Sequence, residues 1–443
     1  MAEEWLKMSA GALGREIGAG RIDPVALCEC FLDALAAHPL AGRIYARTTP
    51  ERARAEAEAA ARRARDGLRR SALDGVPVSW KDLFDTAGTA TEAGSALLEG
   101  RVPERDAEVL ENATRQGLVC LGKTHMSELA FSGLGYNPIT ETPPCVNDPE
   151  AVPGGSSSGA ATSVAFGLAP AAIGSDTGGS VRIPAAWNDL VGLKTTPGRL
   201  SLEGVVPLVA SFDTVGPLCR TVEDAALLLS AMGGTHPADL REAGLKGVRL
   251  LILENAAMED LRDAPRAGFE RAVERLRTAG AVVETGPVEG VEEALSLAGA
   301  LYTPEAYATW QDAIEAAPER MYPAILARFR TGLEFSGIEV MRAWLRLKEL
   351  RAGWARATAG HDAVIMPTSA TLPPAMHRVA ADEDFYVAEN LLALRNTRIG
   401  NLFGCCALTI PTGVPSTGIM FLGPPLAEER LLRLGAAAEA ALA

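Results

Sequence analysis

Two glycine-serine runs, PGGSSSGA at 153–160 and GSDTGGSVRIP at 174–184, constrain this chain more than any other feature. Residues 161–173 between them are apolar and small, a pattern that predicts a helix passing into a buried strand. Such a unit doubles the chain back and brings the two serine runs toward one another. Glycine pairs let the backbone take positive φ, and successive N–H groups in such turns converge on an anion. A serine directly after the pair is placed to attack a carbonyl while neighbouring N–H groups hold the oxyanion. A lone GGS reads as a flexible linker, but these runs have apolar, strand-like flanks, which argue for rigid loops.

A nucleophilic serine needs a base. The five histidines (His38, His125, His236, His361, His377) lie in segments without a nucleophile-like turn beside them. Lys81, in DGVPVSWKDLF at 74–84, follows an apolar strand. Desolvation there lowers an amine's pKa and makes a neutral base available.

These residues resemble the amidase signature family, in the lysine of GVPVSWKD and the two glycine-serine loops. The likeness continues through VGLKTTPGR at 191–199, GVVP at 204–207, DTVGP at 213–217 and RTVED at 220–224. It returns in MPT at 366–368, NLFG at 401–404 and TIP at 409–411. The resemblance implies a single large α/β domain with a central mixed sheet covered by helices on both faces, where length alone suggests two or three domains. Its catalytic core would run over about 70–225, with a variable helical cap over the substrate cleft at about 290–358. It makes Ser180 the acylated nucleophile and Ser156 a bridging serine on a cis peptide, passing protons between Ser180 and Lys81. The N–H groups of Thr177, Gly178, Gly179 and Ser180 would form the oxyanion hole. Ser157, Asp176 and Arg182 would orient the loop, with a substrate carboxylate as the other use for Arg182. His125 falls to a scaffold role. No metal and no organic cofactor is implied, and a homodimer is usual for the family.

The implied activity is hydrolysis of a small or medium amide. The glutamine-hydrolysing component of a tRNA-dependent amidotransferase, which needs partner chains, is a second possibility. Such components resemble this chain but carry an aspartate for the glutamine amino group where Leu394 stands. A urea-derivative hydrolase of the allophanate or carboxybiuret type is the third. The allophanate enzymes place an arginine shortly after GVVP, where this chain has LVAS at 208–211. Candidate pocket residues are Cys145, in a proline-rich loop shorter than the family's, and Tyr302, Glu305, Tyr307 and Phe335 in the cap.

A net charge of −14 with acidic residues spread along the chain argues against a nucleic-acid surface. Seven cysteines show no metal-ligand spacing, and their odd number sits poorly with a disulfide framework, which suggests a reducing cytoplasm. No signal-like leader or run of about 18 apolar residues suggests export or a membrane span. Elsewhere, periodicity predicts helices over 51–70, 107–116, 225–232, 266–279, most of 291–358, 382–394 and 431–443, and strands at 118–121, 248–253 and 362–366.

Overall fold

The computed structural model describes residues 2–443 and shows one eleven-stranded mixed sheet with helices around it. In chain order the strands are β1 (Tyr45–Thr48), β2 (Pro77–Lys81), β3 (Val119–Thr124), β4 (Ala171–Ser175), β5 (Val191–Lys194) and β6 (Val215–Cys219). They continue as β7 (Arg249–Leu253), β8 (Val282–Gly286), β9 (Ala363–Pro367), β10 (Cys406–Pro411) and β11 (Gly418–Gly423). Their spatial order is β1-β3-β2-β4-β6-β5-β10-β11-β9-β7-β8.

β2 lies between β3 and β4, parallel to both, and β4 pairs antiparallel with β6. β2, β3, β4 and β6 are buried at every residue. Because successive strand side chains point to opposite faces, burial at every position means cover on both faces, and it explains why these strands read as apolar or small-residue runs up to Lys81 in β2 and Lys123 in β3. The outermost β8 is largely exposed. The helix Ser158–Ala165 leaves the first serine run, packs on β4 and β2, and hands the chain to β4, as the pattern of 161–173 predicts. β4 then ends at Ser175, so the second serine run starts at a strand terminus next to the end of β2.

Most of 291–358 is helical, in Val291–Ser296, Ala298–Ala316, Pro323–Arg330 and Gly337–Thr358. The last begins with a reciprocal cap: Ser336 accepts from Glu339 N–H while the Glu339 carboxylate accepts from Ser336 N–H. The helix predicted over 382–394 extends over Glu383–Leu402. Its last turns carry buried polar residues that interrupt the apolar period yet are satisfied inward: Asn396 donates to the carbonyls of Ala257 and Pro367 at 3.0 and 2.9 Å. Among the described residues no helix is long and apolar enough to cross a membrane.

Candidate active site

β2 carries Lys81 to its C-terminal end, where the side chain is fully buried. Lys81 Nζ donates to Ser156 Oγ at 2.7 Å and to Ser175 Oγ at 2.8 Å. Burial lowers its pKa to about 7, against the opposing pull of the Asp213 and Asp176 carboxylates. A lysine whose close partners are hydroxyls rather than a carboxylate has nothing adjacent to fix its proton, so near neutrality the amine is available in its basic form.

Ser156 follows a cis Gly155–Ser156 peptide bond. The turn is fixed from both sides: Gly155 N–H donates to Gly133 O at 2.8 Å and Ser127 N–H to Ser156 O at 3.2 Å. A Cβ on Gly155 would fall 2.6 Å from Gly135 N, so the close approach of these two backbones requires glycine there. Ser157 joins the two loops, its N–H donating to Ser180 O at 3.2 Å and its hydroxyl to Ser175 O at 3.3 Å.

The second loop is held from beneath. Asp176 receives Arg182 through both carboxylate oxygens, at 3.0 and 2.9 Å, and Val181 N–H at 3.2 Å. Asn401 Nδ2 donates to Asp176 Oδ1 at 2.9 Å, while Arg182 donates to Asn401 Oδ1 at 2.6 Å and to Thr397 O at 2.8 Å. Burial by itself would raise the Asp176 carboxyl, but Arg182 overrides it and holds the pKa at about 2. The guanidinium of Arg182 is thus consumed inside the protein and does not face the cavity. From above, Thr397 Oγ1 donates to Gly178 O at 2.7 Å. In a trans peptide the following N–H points the opposite way, so this bond turns Gly179 N–H away from Thr397. Gly179 has φ 143°, and a Cβ there would lie 2.1 Å from Thr397 Oγ1. Thr177 Oγ1 donates to Asp213, whose other oxygen accepts from Leu208 and Val209 N–H at 2.9 and 3.1 Å. Among the described residues no acceptor is bonded to the N–H groups of Thr177, Gly178, Gly179 or Ser180.

Thr177, Gly178 and Ser180 line a small cavity closed by Leu208 and Leu394. It shares Phe131, Tyr302, Arg328 and Arg398 with a larger cavity of about 330 Å³ under the helical segment. Of the pocket residues expected from sequence, Tyr302 is in both walls and four are elsewhere. Cys145 Sγ donates to Trp187 O at 3.2 Å, behind the serine loops. Glu305 accepts from Ser211 N–H at 2.9 Å and ties the helix Ala298–Ala316 to the 208–211 loop. Tyr307 donates to Glu315 at 3.0 Å, and Phe335 packs on Gly299 outside the wall. For Tyr307 the reason is helical phase: on Ala298–Ala316, at about 100° per residue, it is roughly 140° round from Tyr302. Sequence reasoning missed Arg328 and Arg398, because arginines in helices read as solvated, and Thr397 and Asp213, whose roles rest on contacts distant in sequence. His125 is buried, its N–H donating to Ile44 O and its carbonyl accepting from Gly159 N–H, both at 2.9 Å. No group of three His, Cys, Asp or Glu among the described residues could hold a metal ion.

Comparison with known proteins gives a consistent result. A family model described as Amidase matches residues 26–432. A 2-amino-5-chloromuconic acid deaminase of Comamonas testosteroni is 38% identical over 381 residues, covering 83% of this chain and 82% of that protein. A glutamyl-tRNA(Gln) amidotransferase component from Anaeromyxobacter dehalogenans is 32% identical, covering 99% and 97%. The crystal structure of a peptide amidase from Stenotrophomonas maltophilia superposes with a TM-score of 0.83 at 27% identity, covering 98% and 97%. With its sheet, its buried lysine and its two serine loops, the chain belongs to the amidase family, hydrolases that act on amide C–N bonds.

Proposed function

We propose that this chain hydrolyses a small carboxylic amide through an acyl-enzyme on Ser180. The observation that carries the reading is the fully buried Lys81, bonded to two serine hydroxyls and with its pKa brought down to about 7. Its neutral amine draws a proton through Ser156, and Ser180 Oγ attacks the amide carbonyl. The N–H groups of Thr177, Gly178, Gly179 and Ser180 receive the developing oxyanion. The proton then returns by way of Ser156 to the leaving nitrogen, the C–N bond breaks, and water repeats the sequence on the acyl-Ser180 ester to release the acid. Asp176, Arg182, Ser157 and Thr397 keep the loops in register. Residues 290–358 serve as the cap, since they supply Tyr302 and Arg328 to the cavity walls.

The similarity to an amidotransferase component favours a second reading, glutamine hydrolysis for a partner assembly. Leu394 weighs against it, because it places an apolar side chain in the cavity wall where a carboxylate would be needed for an amino group. Leu208, also in the wall, similarly weighs against the allophanate type. The test is release of ammonia or amine by the purified single chain from aliphatic, aromatic, amino-acid and urea-derived amides, with Ser180→Ala protein as blank. Turnover above that blank on a simple amide supports the hydrolase acting alone; turnover of glutamine alone, and only with added partner chains, supports the second reading.

A further inference from the structure

We propose that the cavity beyond Ser180 is an anion site, and that the preferred substrate is an amide bearing a carboxylate a short distance from the scissile bond, held by Arg328, Arg398 and the Tyr302 hydroxyl. This rests on the amidase reading of the same site.

Three helices converge here: Tyr302 comes from Ala298–Ala316, Arg328 from Pro323–Arg330 and Arg398 from Glu383–Leu402. All three line both the small cavity containing Ser180 and the larger one beside it. Among the described residues neither the Arg328 nor the Arg398 guanidinium donates a hydrogen bond or makes an ion pair. What they touch is aromatic: Arg328 lies 4.4 Å from the Phe131 ring centroid and Arg398 6.0 Å from that of Tyr302. The Tyr302 hydroxyl is also without a partner, although the residue is only 7% exposed and its ring is stacked on Phe212. A buried phenol and two guanidiniums without acceptors amount to a set of donors aimed at one space.

The phenol is costly to bury unless an acceptor meets it, and the two half-buried guanidiniums beside it are partly stripped of water. Burial depresses both arginines, Arg328 to about 10 with the neighbouring Arg398 charge adding to the effect, so the like charges are close enough to repel. Arg182, by contrast, has its own carboxylate in Asp176. Among the described residues lining the two cavities the one acidic side chain is Glu383, on the exposed outer rim, and the Asn390 carbonyl is already taken by Gly133 N–H at 2.8 Å. A carboxylate fits the space: it has acceptor positions for planar guanidinium donors and for a phenol O–H. An ammonium-bearing substrate would meet two positive charges and Leu394.

The test uses the full-length chain and matched amides. Succinamate and glutaramate carry the carboxylate on the acyl side, N-acetylglycine carries it on the amine side, and butyramide, valeramide and N-ethylacetamide are the uncharged counterparts. The expected result is kcat/KM on the order of 100-fold higher for one carboxylate series than for its neutral partners. In Arg328→Met and Arg398→Met proteins that ratio collapses toward one, and in Tyr302→Phe it falls by less. Which series wins locates the carboxylate on the acyl or the amine side. Calorimetric binding of succinate and glutarate to Ser180→Ala protein gives a readout independent of turnover, with circular dichroism confirming the fold of each variant. A ratio near one in wild type, or a ratio that survives both arginine variants, overturns the proposal while hydrolysis of neutral amides leaves the amidase reading intact. Dicarboxylate binding that both arginine variants abolish, with no amide turned over, upholds the anion site and counts against the amidase reading.

Discussion

The floor of the site and its roof solve opposite problems. In the floor, formed by the ends of β2 and β4 and the two serine loops, the buried Asp176, Arg182, Ser157 and Asn401 all have hydrogen-bond partners. In the roof, formed by helices, the Tyr302 hydroxyl is buried with no partner among the described residues and two arginines face a cavity. A satisfied buried network has one low-energy arrangement and suits chemistry that needs fixed geometry. Donors left open serve recognition, because the ligand completes them. On the proposed function, reaction and specificity are thus assigned to different parts of the chain.

The floor is most sensitive at Ser180. Ser180→Ala is expected to abolish turnover, a loss of roughly 10⁵-fold or more, with no change in folding by circular dichroism; retained activity would remove the floor from the chemistry altogether. Lys81→Ala and Ser156→Ala are each expected to lower kcat by about 10³-fold or more, since residues acting as a unit fail together. The pH profile gives the same division a sign. With Lys81 as the proposed base, active only as the neutral amine, kcat/KM in wild type is expected to rise through about pH 7 and level off above it. A flat profile between pH 5 and 8 would contradict the assignment.

Arg182→Met is expected to act on stability. Removing one member of a buried, bidentate pair leaves Asp176 charged and unpaired, costing about 3–5 kcal/mol in denaturant unfolding. Arg398→Met, with no partner to orphan among the described residues, is expected to cost much less, and an equal loss would erase the contrast between floor and roof. The smallest effect is at Cys145, where Cys145→Ala should leave kcat/KM within about twofold because the thiol lies behind the loops.

The floor is legible in the sequence because its residues lie in short contiguous motifs whose spacing the backbone preserves. The strand at 118–121 and the helix-to-strand passage over 161–173 are legible for the same reason, since their periodicity is local. The roof is not. Within Ala298–Ala316 the burial of Tyr302 and Tyr307 looks alike from sequence, and only the rotation of the helix distinguishes the one that faces the cavity. Arg398 lies in a helix whose apolar period stops at Leu394, whereas the helix itself runs on to Leu402, because Asn396, Thr397 and Asn401 mask its last turns. Cys145 misleads because a shortened loop near the first serine run resembles a pocket wall, while its thiol turns toward Trp187.

The burial of Lys81 has a further consequence for traffic with the medium. Its amine contacts hydroxyls and has no exposed surface, so dissolved buffers and small bases cannot collide with it. On the proposed mechanism each proton that reaches it arrives by relay from a neighbouring serine and leaves by the same kind of step. A reaction run that way is insulated from the acid-base composition of its surroundings in every respect except the overall pH.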